Sequence, residues 1–152
     1  MTHKDADADL VQQVALLNLI IMSQVTEDLA PYEVNATNYF YVMKVAENPG
    51  ISKSDFNDLV HLNHSTITRA INQLTKKELI RQSVDPKDKR ATNLYLTEKG
   101  MRLNRGIELY IKRLNAELMD RLAPDEVLVF NKIVKLRRSI ETNRPHQTDD
   151  EN

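Results

Sequence analysis

Apolar residues recur every three or four positions along most of this chain, and every two positions along one stretch only. Leu10, Val14, Leu17, Ile21, Val25 and Leu29 share a face of a helix predicted from about Asp9 to Leu29, and Pro31 follows its end. Asn35 is placed to cap a second helix, whose Tyr39, Val42, Met43 and Ala46 form an inward stripe before Pro49-Gly50 stops it. Ser52 caps a short third helix, with Asp55 at the capping-box position and Phe56, Leu59 and Val60 apolar. Asn63 caps a fourth, running to about Lys77. Thr97 caps a long fifth through roughly Arg121, striped by Leu103, Ile107, Tyr110, Leu114 and Leu118. Pro124 takes the first-turn position of a last helix carrying Val127, Phe130, Val134 and Ile140. Residues 143–152 form a polar tail, expected to be disordered.

The period of two falls between the fourth and fifth helices. Leu79, Ile80 and Val84 mark one short strand; in a second, Ala91, Asn93 and Tyr95 alternate with Thr92, Leu94 and Leu96. The polar turn "DPKDKR", Asp85 to Arg90, makes the two strands a hairpin. Its tip carries Lys87, Lys89 and Arg90, which suit an anionic partner better than a core. Asp85 and Asp88 shape the turn as scaffold residues. The plainer reading is a common charged turn in which Lys and Asp pair on the surface, worth only ~0–1 kcal/mol. A helix–turn–helix followed by a two-stranded wing is a DNA-binding arrangement.

At 100° per residue, Ile67, Ala70, Ile71 and Leu74 of the fourth helix share one face. Ser65, Arg69, Asn72 and Lys76 occupy the opposite one, flanked by Thr68 and Gln73. Any solvated helix face is polar; this one is set apart by having no acid before Glu78. Hydroxyls, amides and cations of this kind read base edges and hold phosphates. Charge along the chain agrees. Residues 1–50 hold two Lys/Arg against seven Asp/Glu, residues 51–100 nine against six, and residues 101–152 ten against nine. The middle third is the electropositive part.

"ISKSDFNDLVHLNHSTITRAINQLTKKELIRQSVDPKDKRATNLYLTEKG" resembles the winged helix–turn–helix of the MarR family (multiple antibiotic resistance regulators), most of all in "STITRAINQLTKK", "DPKDKR" and "LTEKG". The resemblance implies a mainly α fold with a small two-stranded β-wing, flanked by N- and C-terminal dimerisation helices. The whole chain, 1–152, would then be a single domain. Within it the winged lobe would span 35–97, with the helix-turn-helix at 51–74 and the wing at 80–97; residues 9–30 and 98–142 would dimerise. It further implies a cytoplasmic, homodimeric, sequence-specific transcriptional regulator, a ligand-responsive repressor, on a palindromic operator in double-stranded DNA. The DNA-binding candidates are Ser52, His64, Ser65, Thr66, Thr68, Arg69, Asn72, Gln73, Lys76, Lys87, Lys89 and Arg90. This chain departs from the family pattern where Lys87 and Lys89 replace arginines, Gln82 replaces a common Arg, and Glu78 replaces a helix-ending Gly. A left-handed Glu78 would cost up to ~1–2 kcal/mol.

Other classes are disfavoured. At 152 residues the chain is one domain's worth, and 41% apolar with 28% charged residues is ordinary for a soluble protein. The run "LVQQVALLNLIIM" is too short and polar to span a bilayer, and the acidic start Met1–Asp9 is no signal peptide, so no membrane partner is expected. Without cysteine there is no thiol redox chemistry and no thiolate zinc site, and a reducing cytoplasm fits. No Gly-rich phosphate loop or catalytic set appears, so neither an enzyme nor a cofactor is expected. His61 and His64 are separated by the cap Asn63 and would not share a face, which disfavours a metal-responsive regulator. The resemblance also implies a small aromatic or anionic effector, for which Tyr39, Phe40 and Met43 are the candidate contacts, set against the plainer reading of core. The rival from another class is a helical protein-interaction module without an operator; it should expose aromatics or Leu on the fourth helix.

Overall fold

The computed structural model of the chain describes residues 9–60 and 64–142. They fall in two compact units, divided between Leu109 and Tyr110. In the first, α1 (Leu10–Leu29) starts at Asp9, whose carboxylate accepts from Gln12 N at 3.1 Å. Pro31 sits in a 3₁₀ turn, Ala30–Tyr32, that ends with Glu33 in the left-handed region at φ 60°. The Asn35 side chain accepts from Thr37 N and Asn38 N at 3.0 and 2.9 Å, and so starts α2 (Asn38–Glu47) as expected. Two residues of β1 (Ile51–Ser52) lead into α3 (Lys53–Val60), where Ser52 Oγ accepts from Asp55 N at 3.0 Å. Then come α4 (His64–Lys76), β2 (Ile80–Val84), β3 (Thr92–Leu96) and α5 (Glu98–Met119), which runs into the second unit. The second unit holds the end of α5 and α6 (Leu128–Thr142).

Tyr41, Val42, Val45, Phe56, Ile67, Ile71, Leu74, Ile80, Leu94 and Ile107 are buried together with Val25 and Leu29. Their burial fixes α4 and the sheet as a platform. Rings stack edge to face inside it, with Tyr41 5.9 Å from Phe56.

Three features differ from those expected of the sequence. The sheet has three strands in the order β1–β3–β2, all antiparallel, with Ile51 opposite Leu94 and Ser52 opposite Asn93. A two-residue strand shows no period, so the pattern predicts only two. The inward side of α2 is Asn38, Tyr41, Val42 and Val45, whereas Tyr39, Met43 and Ala46 are half-buried. The helix is turned by about one position because Asn38, a polar residue, faces in. The last helix starts at Leu128 and not at Pro124; residues 123–127 first make three- and four-residue turns, such as Glu126 N to Ala123 O at 2.9 Å. The stripe Val127, Phe130, Val134 and Ile140 is largely exposed. The Asn63 cap, His61 and the 143–152 tail lie outside the described residues.

Candidate nucleic-acid interface

The amphipathic division of α4 is complete. Ile67, Ala70, Ile71 and Leu74 are buried, and His64, Ser65, Thr66, Arg69, Asn72, Gln73 and Lys76 are exposed or half-exposed. Thr68 lies on the same outward side, its Oγ1 3.3 Å from His64 Nδ1. The outward face carries no carboxylate over its whole length. Lys76 lies in the last turn, where a cation also suits the negative end of the helix dipole.

The helix ends in a Schellman motif. Leu79 N donates to Leu74 O and Glu78 N to Thr75 O, both at 3.0 Å, with Glu78 left-handed at φ 59°. The chain therefore enters β2 directly beneath the end of α4. A side-chain relay links the two: Gln82 Nε2 donates to Thr75 Oγ1 at 3.1 Å, and that hydroxyl donates to Ile71 O at 2.8 Å. In the sequence Gln82 stands out only as a missing cation. Its structural part joins two elements that no single period connects.

In the wing, β2 and β3 pair from Ile80 opposite Leu96 to Val84 opposite Thr92. Asp85 Oδ1 accepts from Lys87 N at 2.7 Å and Oδ2 from Asn93 Nδ2 at 3.1 Å; Asp88 Oδ1 accepts from Arg90 N at 2.9 Å. Both aspartates thus bond the backbone of the tip. The Lys87 amide, then the Asn93 side chain, pull the Asp85 carboxyl below the usual carboxylate range. With the acids so occupied, Lys87, Lys89 and Arg90 are exposed and none has an ion-pair partner among the described residues. Ser52 is different. Its hydroxyl caps α3 and its backbone pairs with β3, so it is half-buried at the base of the wing.

The effector candidates differ in exposure. Tyr39 is half-buried, and burial pushes its phenol up. Phe40 is exposed beneath the Lys44 ammonium, 5.4 Å from the ring centre, and Met43 is half-buried. A cavity of about 430 Å³ opens elsewhere in the same unit, between Arg81 and Tyr95 of the wing and Asn104 and Arg105 of α5, and contains none of the three. Among the described residues no three His, Cys, Asp or Glu side chains come together as a metal set. No helix there is long and apolar enough to cross a membrane.

Residues 34–92, the α2-to-wing segment, match the MarR family model. A protein of Thauera aromatica, named provisionally as the transcriptional regulatory protein for the hcr operon, is 31% identical over 88 residues, covering 58% of this chain and 53% of that one. The chain spans between about half and two thirds of the length of the first curated relatives it matches. Among solved structures, a MarR protein from Peptoclostridium difficile superposes with a TM-score of 0.83 at 23% identity, over 93% of this chain and 94% of that one. The Staphylococcus aureus MepR–DNA complex gives 0.78 at 17% identity, over 85% and 96%. Both likenesses lie in the fold.

Proposed function

From a chain whose residues 34–92 belong to the MarR family, we propose a sequence-specific DNA-binding transcriptional regulator that works as a homodimer on a palindromic operator. The observation that carries this is the outward face of α4: polar and cationic side chains along its length, no acid, and no aromatic or Leu among them. A protein-docking helix would present apolar anchors there. In the proposed mechanism α4 enters the major groove, where Arg69 and Asn72 have the chemistry to pair with guanine and adenine edges. Ser65, Thr66 and Thr68 supply shorter contacts, while His64, Gln73 and Lys76 reach base edges or phosphates at either end. Lys87, Lys89 and Arg90 reach the adjacent minor groove or backbone. Ser52 contributes by fixing the start of α3. The DNA complex of the similarly folded MepR supports this mode.

Each unit also leaves an apolar surface uncovered. On α1, Leu10, Val14, Leu17, Leu19 and Ile20 are half exposed or more; on α6, Leu128, Phe130, Ile133 and Ile140 are as well. Exposure on this scale marks a protein interface, and dimerisation through the chain ends answers to it. The cell compartment proposed is the cytoplasm, where the DNA lies. Repression is the proposed effect, by occupying the operator. A mobility-shift titration of the chain's own upstream DNA tests the reading, paired with light scattering. Retention of a palindromic fragment by a dimer is expected. A 17.5 kDa monomer, or no preference over unrelated DNA, would overturn it.

A further inference from the structure

We propose that Gln82 and Thr75 are positioning residues for DNA recognition: their hydrogen bond sets the register of the wing against α4, and through it the choice of operator over unrelated DNA. Neither side chain is among those offered to DNA. The proposal rests on the DNA-binding reading and adds to it how the two contacting elements are held to one another.

The bond runs one way only. Thr75 Oγ1 carries a single proton, which goes to Ile71 O at 2.8 Å within the helix. Toward β2 the hydroxyl can then only accept. Of the two ends of the Gln82 amide only Nε2 can donate to it, and does so at 3.1 Å. Both ends of this relay are anchored. Gln82 stands at the middle of β2, opposite Leu94, which is fully buried on the central strand of the sheet. Ile71 is fully buried on the core side of α4. Thr75 lies in the last turn of α4, between buried Leu74 and exposed Lys76 and three residues beyond Asn72.

The rest of the junction is less particular about angle. Ile80 is buried where β2 meets α4. Such apolar packing resists separation but is non-directional, whereas a hydrogen bond weakens steeply as its angle departs from linear. The relay therefore selects one orientation among those that packing allows. That matters for the operator. When α4 and the wing are held in phase, seating one brings the other to its groove at high effective concentration. Unrelated DNA, held through its phosphates, does not require base edges and wing to be met in one register.

The test is a set of affinity titrations on a palindromic fragment of the chain's own upstream DNA and on an unrelated duplex of equal length. Gln82→Met keeps the length of the side chain and removes the donor; Thr75→Val removes the same bond from the other side. Each should weaken operator binding about fivefold, the worth of one hydrogen bond, and leave unrelated DNA unchanged. Thr75→Ser, which keeps the hydroxyl, should recover most of the loss seen with Val. In the Gln82→Met background, Lys87→Ala with Lys89→Ala should cost about fivefold less operator affinity than in wild type, because the wing is already out of register. Strictly additive losses, or equal losses on both duplexes with a lower unfolding midpoint, would make Gln82 an ordinary packing residue and overturn the proposal. Wild-type operator affinity in both Gln82→Met and Thr75→Val would overturn it and leave the regulator standing. A wild-type chain with no preference between the two duplexes would remove the regulator, and this proposal with it.

Discussion

The carbonyl oxygen of Leu79 lies 2.1 Å from the point that a Cβ on Gly100 would occupy. The entry to β2 and the first turn of α5 therefore meet backbone to backbone. The same carbonyl accepts from Thr97 N at 3.1 Å, and the Thr97 hydroxyl accepts from Gly100 N at 3.0 Å. A methyl group there must displace main chain and not a flexible side chain. Gly100→Ala should destabilise the fold by ~1–3 kcal/mol, read as a lower midpoint in chemical unfolding. Gly106, inside α5, is the control, since an added carbon there meets nothing within 4 Å. Its Ala variant should hold or gain ~0.5–1 kcal/mol. Equal losses at both positions would show that the close approach is not what matters.

Glu78 stands in the left-handed region at the end of α4 and presents no ion pair among the described residues that the change would remove. Glu78→Gly should therefore raise stability by roughly 1 kcal/mol, the relief of a Cβ from that conformation less the added freedom of the unfolded chain. DNA affinity should stay within error of wild type. A destabilised variant would place the strain elsewhere.

These two junctions also show what the chain's pattern discloses. Glu78 after a helix, at a position that asks for Gly, was legible as a left-handed residue, because helix ends follow local rules. The outward face of α4 was legible for a similar reason: the absence of acids is a property of consecutive residues. The inward side of α2 was not. Tyr39, Met43 and Ala46 and Asn38, Tyr41 and Val45 have equally helical spacing, and only packing against Phe56 decides for Tyr41. β1 is too short to have a period. The Gln82–Thr75 relay and the cavity join residues from separate elements, which no window along the sequence brings together.

Asp85 makes the wing sensitive to acid. Its folded pKa is lowered, chiefly by the Lys87 amide, so its contribution to the turn is present above the ordinary carboxylate value and is lost as pH falls through the lowered one. NMR titration should give an Asp85 midpoint below 3.8, the unperturbed value. The Lys87 and Asn93 amide signals should move with it. A midpoint at or above that value would mean these hydrogen bonds are not made in solution.

Arg69 projects from the middle of the α4 outward face, away from buried Ile67, Ala70 and Ile71 on the core side. Its truncation should leave the fold intact, since the core stays fully packed without it. Arg69→Ala should weaken operator binding by ~1–3 kcal/mol, with an unchanged unfolding curve. If it pairs with a guanine edge, discrimination at one operator position should relax as well. Wild-type affinity would put the DNA on another face.

The wing lysines should act through charge and not through base reading. The tip aspartates bond the backbone of the turn, and the Lys87 and Lys89 ammonium groups have no ion pair among the described residues. Removing a lysine that touches a phosphate reduces counterion release, and the slope of log affinity against log salt should shrink by about 1 for each such lysine in each protomer. Lys87→Ala combined with Lys89→Ala should therefore weaken operator and unrelated DNA alike and give a shallower slope. Asp88→Ala adds net positive charge, yet it removes the acceptor that holds Arg90 N. If tip shape matters beyond charge, that variant should not bind more tightly, and it should keep the wild-type slope. The double lysine variant decides the matter: a slope equal to wild type would mean that the tip does not touch DNA, and α4 would then carry the whole interface.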